Sequence, residues 1–180
     1  MEVGEAIRNR RSVRAYLDKP VEEEKIVKIL DAARWAPSAG NLQSVEYVVV
    51  KDSERKEKLA SAAWGQGFVR EAPVDIVVCC NFRKISHYGE RGKELYAVQE
   101  SGACIQNLML TAYSLGLGTC WVGAFDEEEV RRVLRIPDHV RPVAIITVGY
   151  PSETPKSGRR ELKDIVFSEE YGKKQGRFSL

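Results

Sequence analysis

One segment constrains the fold of this chain more than any other: residues 94–115 contain no lysine or arginine. Their charged side chains are Glu94 and Glu100, and after Ser101 apolar residues fall on nearly every face of a helix. At ~1.5 Å per residue such a helix extends about 33 Å. Because water can contact so little of its surface, we expect a long buried central helix that forms either the axis of the core or half of a subunit interface.

Helical and strand patterns alternate around this segment. Apolar spacing predicts helices over 3–11 and 22–36, and Asp126 with Glu129 three residues later predicts a capped helix that ends before Pro137. Short β-branched or aromatic runs bounded by turn residues predict four strands, over residues 45–51, 74–80, 119–123 and 142–149. The predicted class is therefore α+β, with helices flanking a central sheet.

Length and charge set outer limits on the function. A chain of 180 residues is expected to form one domain, residues 1–180. Lys plus Arg number 28 against 26 for Asp plus Glu, a balance too even to indicate a nucleic-acid partner. No apolar run approaches the ~20 residues of a membrane span, and the first residues lack a signal-peptide pattern. We therefore expect a soluble cytoplasmic protein with no membrane partner.

The cysteines and histidines predict no metal site. The cysteines have no CxxC spacing and are expected to be small buried core residues; they are Cys79, Cys80, Cys104 and Cys120. The two histidines, His87 and His139, are too far apart in sequence to form a local pair of ligands.

The chain from about residue 150 onward has prolines, glycines and charges without a sustained period, which predicts an extended tail. It nevertheless carries apolar side chains that need burial: Ile165, Val166, Phe167, Tyr171 and Phe178. This favours a tail that wraps over a surface, with a partner subunit as one candidate. The alternative is a disordered end.

Three clusters have the composition of binding segments. Four arginines surround Ser12 at the end of the first helix, in residues 8–14, and their guanidinium groups suit phosphate, although cations there also complement a helix dipole. Residues 36–43 (APSAGNLQ) combine small and amide side chains, so backbone can approach a flat polar ligand. Residues 116–123 (GLGTCWVG) form a glycine-bracketed strand that matches neither a Walker motif nor GxGxxG.

The order of these clusters is more specific than any one of them. RRSVR near the N-terminus, then APSAGNLQ, then GLGTCWVGAF followed by a helix and a strand ending in GYP, resembles the flavin-dependent nitroreductase family. The resemblance runs from about residue 3 to residue 167. Two departures are Ser44, where the family commonly has proline, and Val45-Glu46-Tyr47 in place of a frequent aromatic start.

The resemblance implies a homodimer with a mixed or antiparallel central sheet, one FMN per site at the subunit interface, and NAD(P)H as the donor. Hydride then passes from the nicotinamide to flavin N5 and on to a small organic acceptor such as a nitroaromatic or a quinone, with ping-pong kinetics. The flavin carries this chemistry, so no side chain is assigned as catalytic. A relative that consumes flavin or dehalogenates on the same FMN cradle is an alternative, and a basic binding module without flavin is a more remote one.

The resemblance also implies which residues contact the cofactor through charge. Arg10, Ser12 and, as a further candidate, Arg11 match the residues that hold the FMN phosphate, and Arg159 in the tail matches a second phosphate clamp. Arg14 matches the residue at the N1/O2 edge of the ring. A fixed guanidinium there stabilises the negative charge of reduced flavin.

Other implied contacts surround the ring. The second subunit contributes a loop of small and amide residues: Pro37, Ser38, Ala39, Asn41 and Gln43. The backbone N–H groups of Val122 and Gly123 match positions that face N5 and O4, with Gly123 near N5. Gln66 matches a contact to the pyrimidine edge.

Residues 82–93 (FRKISHYGERGK) join the second strand to the central helix and are mostly polar. They predict either a mobile lid over the flavin or a plain exposed loop. His87 and Tyr88 have the chemistry to donate a proton to a substrate, but neither is assigned as catalytic.

Overall fold

The computed structural model describes residues 1–173. Its strands form one sheet in the order β1-β2-β4-β3, in which every neighbouring pair is antiparallel. They are β1 (Val45–Val50), β2 (Val74–Asn81), β3 (Gly118–Val122) and β4 (Val140–Gly149). All four predicted strands are confirmed to within two residues at each end, and the antiparallel option is the one adopted.

The central strands β2 and β4 read as continuous apolar runs because both of their faces are covered. A proline is unusual in such a strand, since it cannot donate to the ladder. Pro142 of β4 lies opposite Cys79, directly at a register shift between Val78 and Cys79. The irregularity accommodates the missing N–H without breaking the sheet.

Helices cover both faces of the sheet. They are α1 (Val3–Asn9), α2 (Glu23–Arg34), α3 (Ser53–Ala62), α4 (Gly67–Glu71), α5 (Gly89–Arg91), α6 (Ala97–Ser114), α7 (Glu127–Leu134) and α8 (Leu162–Ile165). α2 and α6 pack on the face that carries Ile76 and Ile146. α3, α4 and α7 pack on the opposite face, which carries Val77 and Ile145. None of the helices in the described part of the chain is long and apolar enough to cross a membrane.

The long helix begins earlier than the sequence predicts. α5, a π-helical turn over Gly92–Tyr96 and α6 follow one another without a break, so helix starts at Gly89 rather than at residue 94. Gly92 reads as a loop residue in the sequence, yet it is buried, and a Cβ there would lie 2.8 Å from the Ile85 carbonyl oxygen. Although Gly92 lies inside a helix, its missing side chain lets the backbone at Ile85 approach closely.

A single chain buries one stripe of α6 rather than its whole surface. Its buried residues are Ala97, Glu100, Ser101, Cys104, Ile105, Leu108, Met109 and Ala112. Val98 is 41% exposed, and Leu110 and Tyr113 are only half-buried. Within one chain α6 is thus an axis of the core on one side and an incompletely covered apolar surface on the other.

The predicted cap of α7 is confirmed, although only one half of a capping box forms. Asp126 Oδ1 accepts hydrogen bonds from the Glu128 and Glu129 N–H groups, each at 3.0 Å. The reciprocal bond is missing because the Asp126 N–H donates to the Ala62 carbonyl at 2.9 Å. The carboxylate of Glu129 pairs with Arg132 instead. This geometry ties the end of α3 to the start of α7.

The first part of the tail lies along its own chain. The Leu17 N–H donates to the Tyr150 carbonyl at 2.9 Å, and the Ser152 N–H donates to the Ala15 carbonyl at 3.0 Å. Further on, Leu162 and Ile165 of α8 are 49% and 51% exposed. The apolar residue Phe178 lies outside the described residues.

Candidate functional site

The arginine segment is extended and fixed to the edge of the sheet. Ser12 forms a parallel bridge with Thr119 of β3, and the Val13 N–H donates to the Thr119 carbonyl at 2.9 Å. Val13 is buried against Gly118, where an added Cβ would lie 2.9 Å from the valine side chain. Because side chains alternate in extended backbone, Arg10, Ser12 and Arg14 fall on the face opposite to Val13.

Three predicted phosphate ligands lie close together. Burial lowers the pKa of Arg10, and the positive charges of Arg159 and Arg11 lower it further. One Arg11 nitrogen, Nη1, already donates to the Arg8 and Arg10 carbonyls, at 2.6 and 2.9 Å. Arg11 therefore closes the end of α1 with part of its guanidinium. Arg10, Arg11 and Arg159 thus form an electropositive cluster that contains no acidic side chain.

A cavity of about 740 Å³ opens beside this cluster. Its walls come from the arginine segment, the end of α6 with the start of β3, and the tail from Pro151 to Gly158. The tail contributes one carboxylate: Glu153 Oε1 accepts the Arg14 N–H at 2.6 Å. The sequence indicated only the basic end of the tail here and gave no signal for Glu153 or for Tyr113, which also lines the cavity.

The predicted ring contacts meet at the end of β3. The guanidinium carbon of Arg14 lies 5.8 Å from the ring centroid of Phe68. Two residues before Phe68, Gln66 Nε2 donates to the Ala124 carbonyl at 3.1 Å. Gly123 follows the last residue of β3, Val122, and a Cβ at Gly123 would meet nothing within 4 Å. Its backbone is therefore accessible to a flat ligand.

The loop of residues 37–43 is held in an unusual backbone conformation. Gly40, Asn41 and Gln43 have φ values of 57°, 56° and 51°, a left-handed region that costs a non-glycine residue about 1–2 kcal/mol. The Gln43 N–H donates to Ser38 Oγ at 3.2 Å, and Gln43 Nε2 donates to the Asn41 carbonyl and Oδ1. These bonds compensate for the strain and set the small residues on the surface.

Ser44, which replaces the common proline, joins this loop to the long helix. Its Oγ donates to Glu100 Oε2 at 2.8 Å, and the Val45 N–H donates to Glu100 Oε1 at 3.3 Å. Ser44 and Glu100 are 0% and 5% exposed. A buried carboxylate needs such partners, so Glu100 anchors the end of the loop and the start of β1 to α6.

The loop and the arginine segment lie at opposite ends of α6. A second cavity, of about 260 Å³, is lined by Pro37, Ser38, Ala39, Tyr96, Gln99, Glu100 and Ala103. Tyr113, beside the arginines, follows Gln99 by 14 positions. At ~1.5 Å per residue this is about 21 Å along the helix axis. The structure therefore brings the predicted residues together as two separate groups within one chain.

Residues 82–93 are largely helical and not a plain exposed loop; the alternative of a mobile lid over the flavin stays a prediction. Ser86–Tyr88 form one turn of 3-10 helix, and α5 follows directly. Ile85 is fully buried, and Tyr88 covers Gly40, where an added Cβ would lie 2.7 Å from the tyrosine oxygen. His87 remains exposed. The segment is packed onto the loop of residues 37–43.

The cysteines are buried, as predicted, and burial raises the pKa of Cys79 and of Cys80 to about 12. They are therefore protonated thiols at neutral pH and poor nucleophiles. No group of three or more His, Cys, Asp or Glu that could hold a metal ion occurs within residues 1–173.

Sequence reasoning missed a buried acid close to the arginine segment. Asp75 is 0% exposed, neither carboxyl oxygen has a partner, and burial raises its pKa well above its ordinary value. It pairs across the sheet with Thr147, whose hydroxyl lies 2.6 Å from that of Tyr16. The Tyr16 hydroxyl also donates to the Val13 carbonyl at 2.7 Å. In the sequence Asp75 is a single polar residue within an apolar strand, and no pattern marks it as unusual.

The chain is similar in sequence to a known protein family and to individual proteins. The model of the nitroreductase family matches residues 7–69 and 60–150. A protein of Methanothermobacter thermautotrophicus with the provisional name NADH dehydrogenase/NAD(P)H nitroreductase is 41% identical over 170 residues, covering 91% of this chain and 84% of its own. A Bacillus subtilis FMN reductase [NAD(P)H] is 31% identical over 183 residues, covering 94% and 74%.

Solved structures agree with the sequence matches. NfrA1 of B. megaterium superimposes with a TM-score of 0.86 at 34% identity, covering 94% of this chain and 74% of its own. The NADPH:FMN oxidoreductase of Vibrio harveyi, solved in complex with NAD+, gives a TM-score of 0.88 at 26% identity, covering 96% and 79%.

Proposed function

The chain belongs to the nitroreductase family, and from this premise we propose that it is an FMN-dependent NAD(P)H oxidoreductase that works as a homodimer. The names of its relatives support the cofactor and the donor. Nitroaromatics and quinones are the acceptors we propose, because both accept electrons from reduced flavin and neither requires a dedicated catalytic side chain. When bound, FMN supplies the two-electron redox chemistry that joins the two half-reactions.

The observation that carries the proposal is the electropositive cluster beside the 740 Å³ cavity. Burial lowers the pKa of Arg10, and repulsion from the neighbouring Arg159 and Arg11 lowers it further. A phosphate dianion in the cavity relieves the repulsion and accepts charge-assisted hydrogen bonds. Of the proposed phosphate ligands, Arg10 and Arg11 line this cavity. Ser12 and Arg159 adjoin the lining residues Val13 and Gly158 in the chain, and we propose them as further ligands.

The groups that we propose to contact the flavin ring lie together at the end of β3. Arg14 holds a permanent cation beside Phe68, where it stabilises negative charge at the N1/O2 edge of a bound flavin. Gln66 Nε2 donates to the Ala63 and Ala124 carbonyls, so the side-chain oxygen of Gln66 is the atom that we propose for the pyrimidine edge. The backbone N–H groups of Val122 and Gly123 are the proposed donors to N5 and O4.

A second copy of the chain is needed because the two groups of site residues lie about 21 Å apart along α6. In the proposed dimer the loop of residues 37–43 of one subunit, with Pro37, Ser38, Ala39, Asn41 and Gln43, covers the flavin held by the arginines of the other. Exposed apolar side chains on α1, α2, α6 and β3 support such an interface: Val3, Ile7, Val27, Trp35, Val98 and Trp121. Burying a surface of this kind drives association.

We further propose that residues 1–180 form one domain whose distal tail reaches the partner. The tail up to Gly158 packs on its own chain. Among the described residues beyond Gly158, Leu162, Ile165 and Tyr171 are exposed and therefore available for that contact.

The proposal is tested by the visible absorption spectrum of the purified protein before and after anaerobic NADH or NADPH. Flavin bands that bleach with either nucleotide are the expected result. A colourless protein that does not take up added FMN would refute the proposal. A yellow protein that neither nucleotide reduces would preserve the flavin site and refute the donor.

A further inference from the structure

We propose that a basic rim, formed by Arg83, His87 and Arg91, binds the phosphate groups of the nicotinamide dinucleotide. The inference rests on the proposed function, since it assumes a dinucleotide donor and a flavin covered by the loop of residues 37–43. It goes further by assigning recognition of the donor to a particular segment of this chain.

The rim is attached to the loop that covers the flavin. Ile85 is fully buried in a small apolar cluster with Cys80 and Ala97, and Tyr88 and Ala39 pack against that cluster. Tyr88 in turn lies over Gly40. The residues between and after these anchors, Arg83, His87 and Arg91, are exposed. The loop and the rim therefore form one packed unit, so in the proposed dimer the rim lies at the edge of the surface that covers the flavin.

The charge of the segment complements a polyanion. Residues 82–93 contain four Lys or Arg residues and one Glu. Two of the cations are neutralised locally: Lys84 pairs with Glu46 at 3.1 Å, and Lys93 pairs with Glu90 at 2.6 Å. Within residues 1–173 no carboxylate lies within 4.0 Å of the guanidinium groups of Arg83 and Arg91. These two cations are free to meet a ligand.

Arg91 is the best-positioned member of the rim. Its Nε donates to the Tyr96 hydroxyl at 2.9 Å, and its guanidinium carbon lies 5.4 Å from the Tyr96 ring centroid. Tyr96 lines the 260 Å³ cavity with Pro37, Ser38 and Ala39. The tyrosine holds the guanidinium plane beside this cavity and leaves both terminal nitrogens available for bidentate binding of phosphate.

Charge also distinguishes the donor from the acceptor. Quinones and nitroaromatics without acidic groups gain nothing from exposed guanidinium groups, whereas NADH carries a pyrophosphate and NADPH a further phosphate. Exposed cations at the entrance also raise the rate at which an anion arrives, and this effect weakens with salt. The rim is therefore expected to act on the donor half-reaction alone.

The test compares Arg91→Gln and Arg83→Gln with a matched control, Arg55→Gln. Arg55 is an exposed arginine of α3, on the opposite face of the sheet, and makes only a surface pair with Asp52. Two measurements are made on the FMN-loaded enzyme: calorimetric affinity for NADP+ at low and high salt, and anaerobic stopped-flow reduction by NADPH and NADH. Reoxidation by menadione, an uncharged quinone, is followed in parallel.

We expect Arg91→Gln to weaken NADP+ binding and the apparent donor affinity about tenfold, with a smaller effect for Arg83→Gln and a weaker salt dependence in both. The limiting rate of flavin reduction and the menadione reaction should stay at wild-type values, and Arg55→Gln should behave as wild type.

Unchanged NADP+ affinity in both rim variants, with flavin reduction intact, would overturn the inference and leave the proposed function standing. A slower limiting reduction rate with unchanged affinity would also overturn it, because the rim would then act on flavin geometry rather than on donor binding. A wild-type enzyme that takes up FMN but is reduced by neither nucleotide would refute the proposed function itself.

Discussion

The two ends of the long helix are built on different physical principles. At the arginine end, comprising residues 10–14 and the tail to Arg159, permanent charges are fixed by backbone pairing to β3 and by the tail. At the loop end, comprising residues 37–43 and 82–93, left-handed turns and small side chains form a surface that lies on a packed aromatic segment. In the proposed function, the arginine end supplies binding energy through charge, and the loop end supplies the shape of the site and access to it.

This difference is the reason why we propose that neither end forms a complete flavin site by itself. The arginine end concentrates positive charge but leaves its cavity open, whereas the loop end has a shaped surface with little charge of its own beyond the rim. About 21 Å of helix separates them, and in the proposed function a flavin that contacts both lies between two chains. The first variants below perturb the arginine end and the core beside it, and the mixed dimers at the end perturb both ends.

The largest effect is expected at the arginine end for Arg10→Gln. Loss of a charge-assisted contact of about 1.5–3 kcal/mol should weaken FMN binding about 100-fold. The FMN-free protein should melt at the same temperature or higher, because the repulsion from Arg159 and Arg11 is relieved. Flavin fluorescence titration and thermal melts measure the two quantities, with Arg55→Gln as the control. An FMN affinity within threefold of wild type would remove Arg10 from the phosphate site.

A moderate effect is expected for Gly118→Ala. The new methyl group would lie 2.9 Å from the stiff, buried side chain of Val13, between Ser12 and Arg14. Overpacking of this kind costs about 1–3 kcal/mol of unfolding free energy, or roughly 2–10 °C in Tm. FMN binding should weaken about tenfold, because the arginine segment shifts with Val13.

Gly67→Ala is the matched control for that variant, since its nearest contact lies at 3.5 Å. Equal Tm and FMN affinity in Gly118→Ala and Gly67→Ala would show that Val13 does not set the position of the arginines.

The smallest effect on FMN binding is expected for Asp75→Asn, and its effect on stability depends on pH. Burial raises the pKa of Asp75 in the folded state above its unfolded value of about 3.9. Folding is therefore favoured by the acid form, and stability falls as pH rises from about 4 toward the folded pKa, by up to ~1.4 kcal/mol per pH unit. Asparagine cannot ionise, so the variant should gain Tm relative to wild type between pH 5 and pH 8.

Melts of the two proteins across this range provide the measurement. A Tm difference that stays constant with pH would mean that Asp75 is ionised in the folded protein, stabilised by Lys56.

Much of the fold was predictable because local chemistry and packing agree. The four strands are β-branched runs between turn residues, and the Asp126 cap forms as its sequence indicates. The start of the long helix was not predictable, because Gly92 serves close packing against Ile85 although glycine ordinarily signals a loop. The acid Asp75 and the Ser44–Glu100 pair depend on contacts across the fold that no local pattern records.

The sequence predicted which residues belong to the candidate site better than it predicted how they are arranged. The motif order that resembles the nitroreductase family indicated which residues to consider, and the family assignment is confirmed. Their division into two groups follows from the length and path of α6, which place the arginines and the loop at opposite ends. The free cations of the rim emerge only when the ion pairs of Lys84 and Lys93 are known.

The central claim, that each flavin site combines the arginine end of one chain with the loop end of another, is tested most directly by mixed dimers. Arg10→Gln disables the arginine end, and Ser38→Trp blocks the loop end. Each variant alone should bind FMN poorly. A heterodimer purified through two different tags should hold one intact site, so it should bind one FMN per dimer with wild-type affinity. A heterodimer that binds FMN no better than either parent would contradict the account, because both defects would then lie in sites formed within single chains.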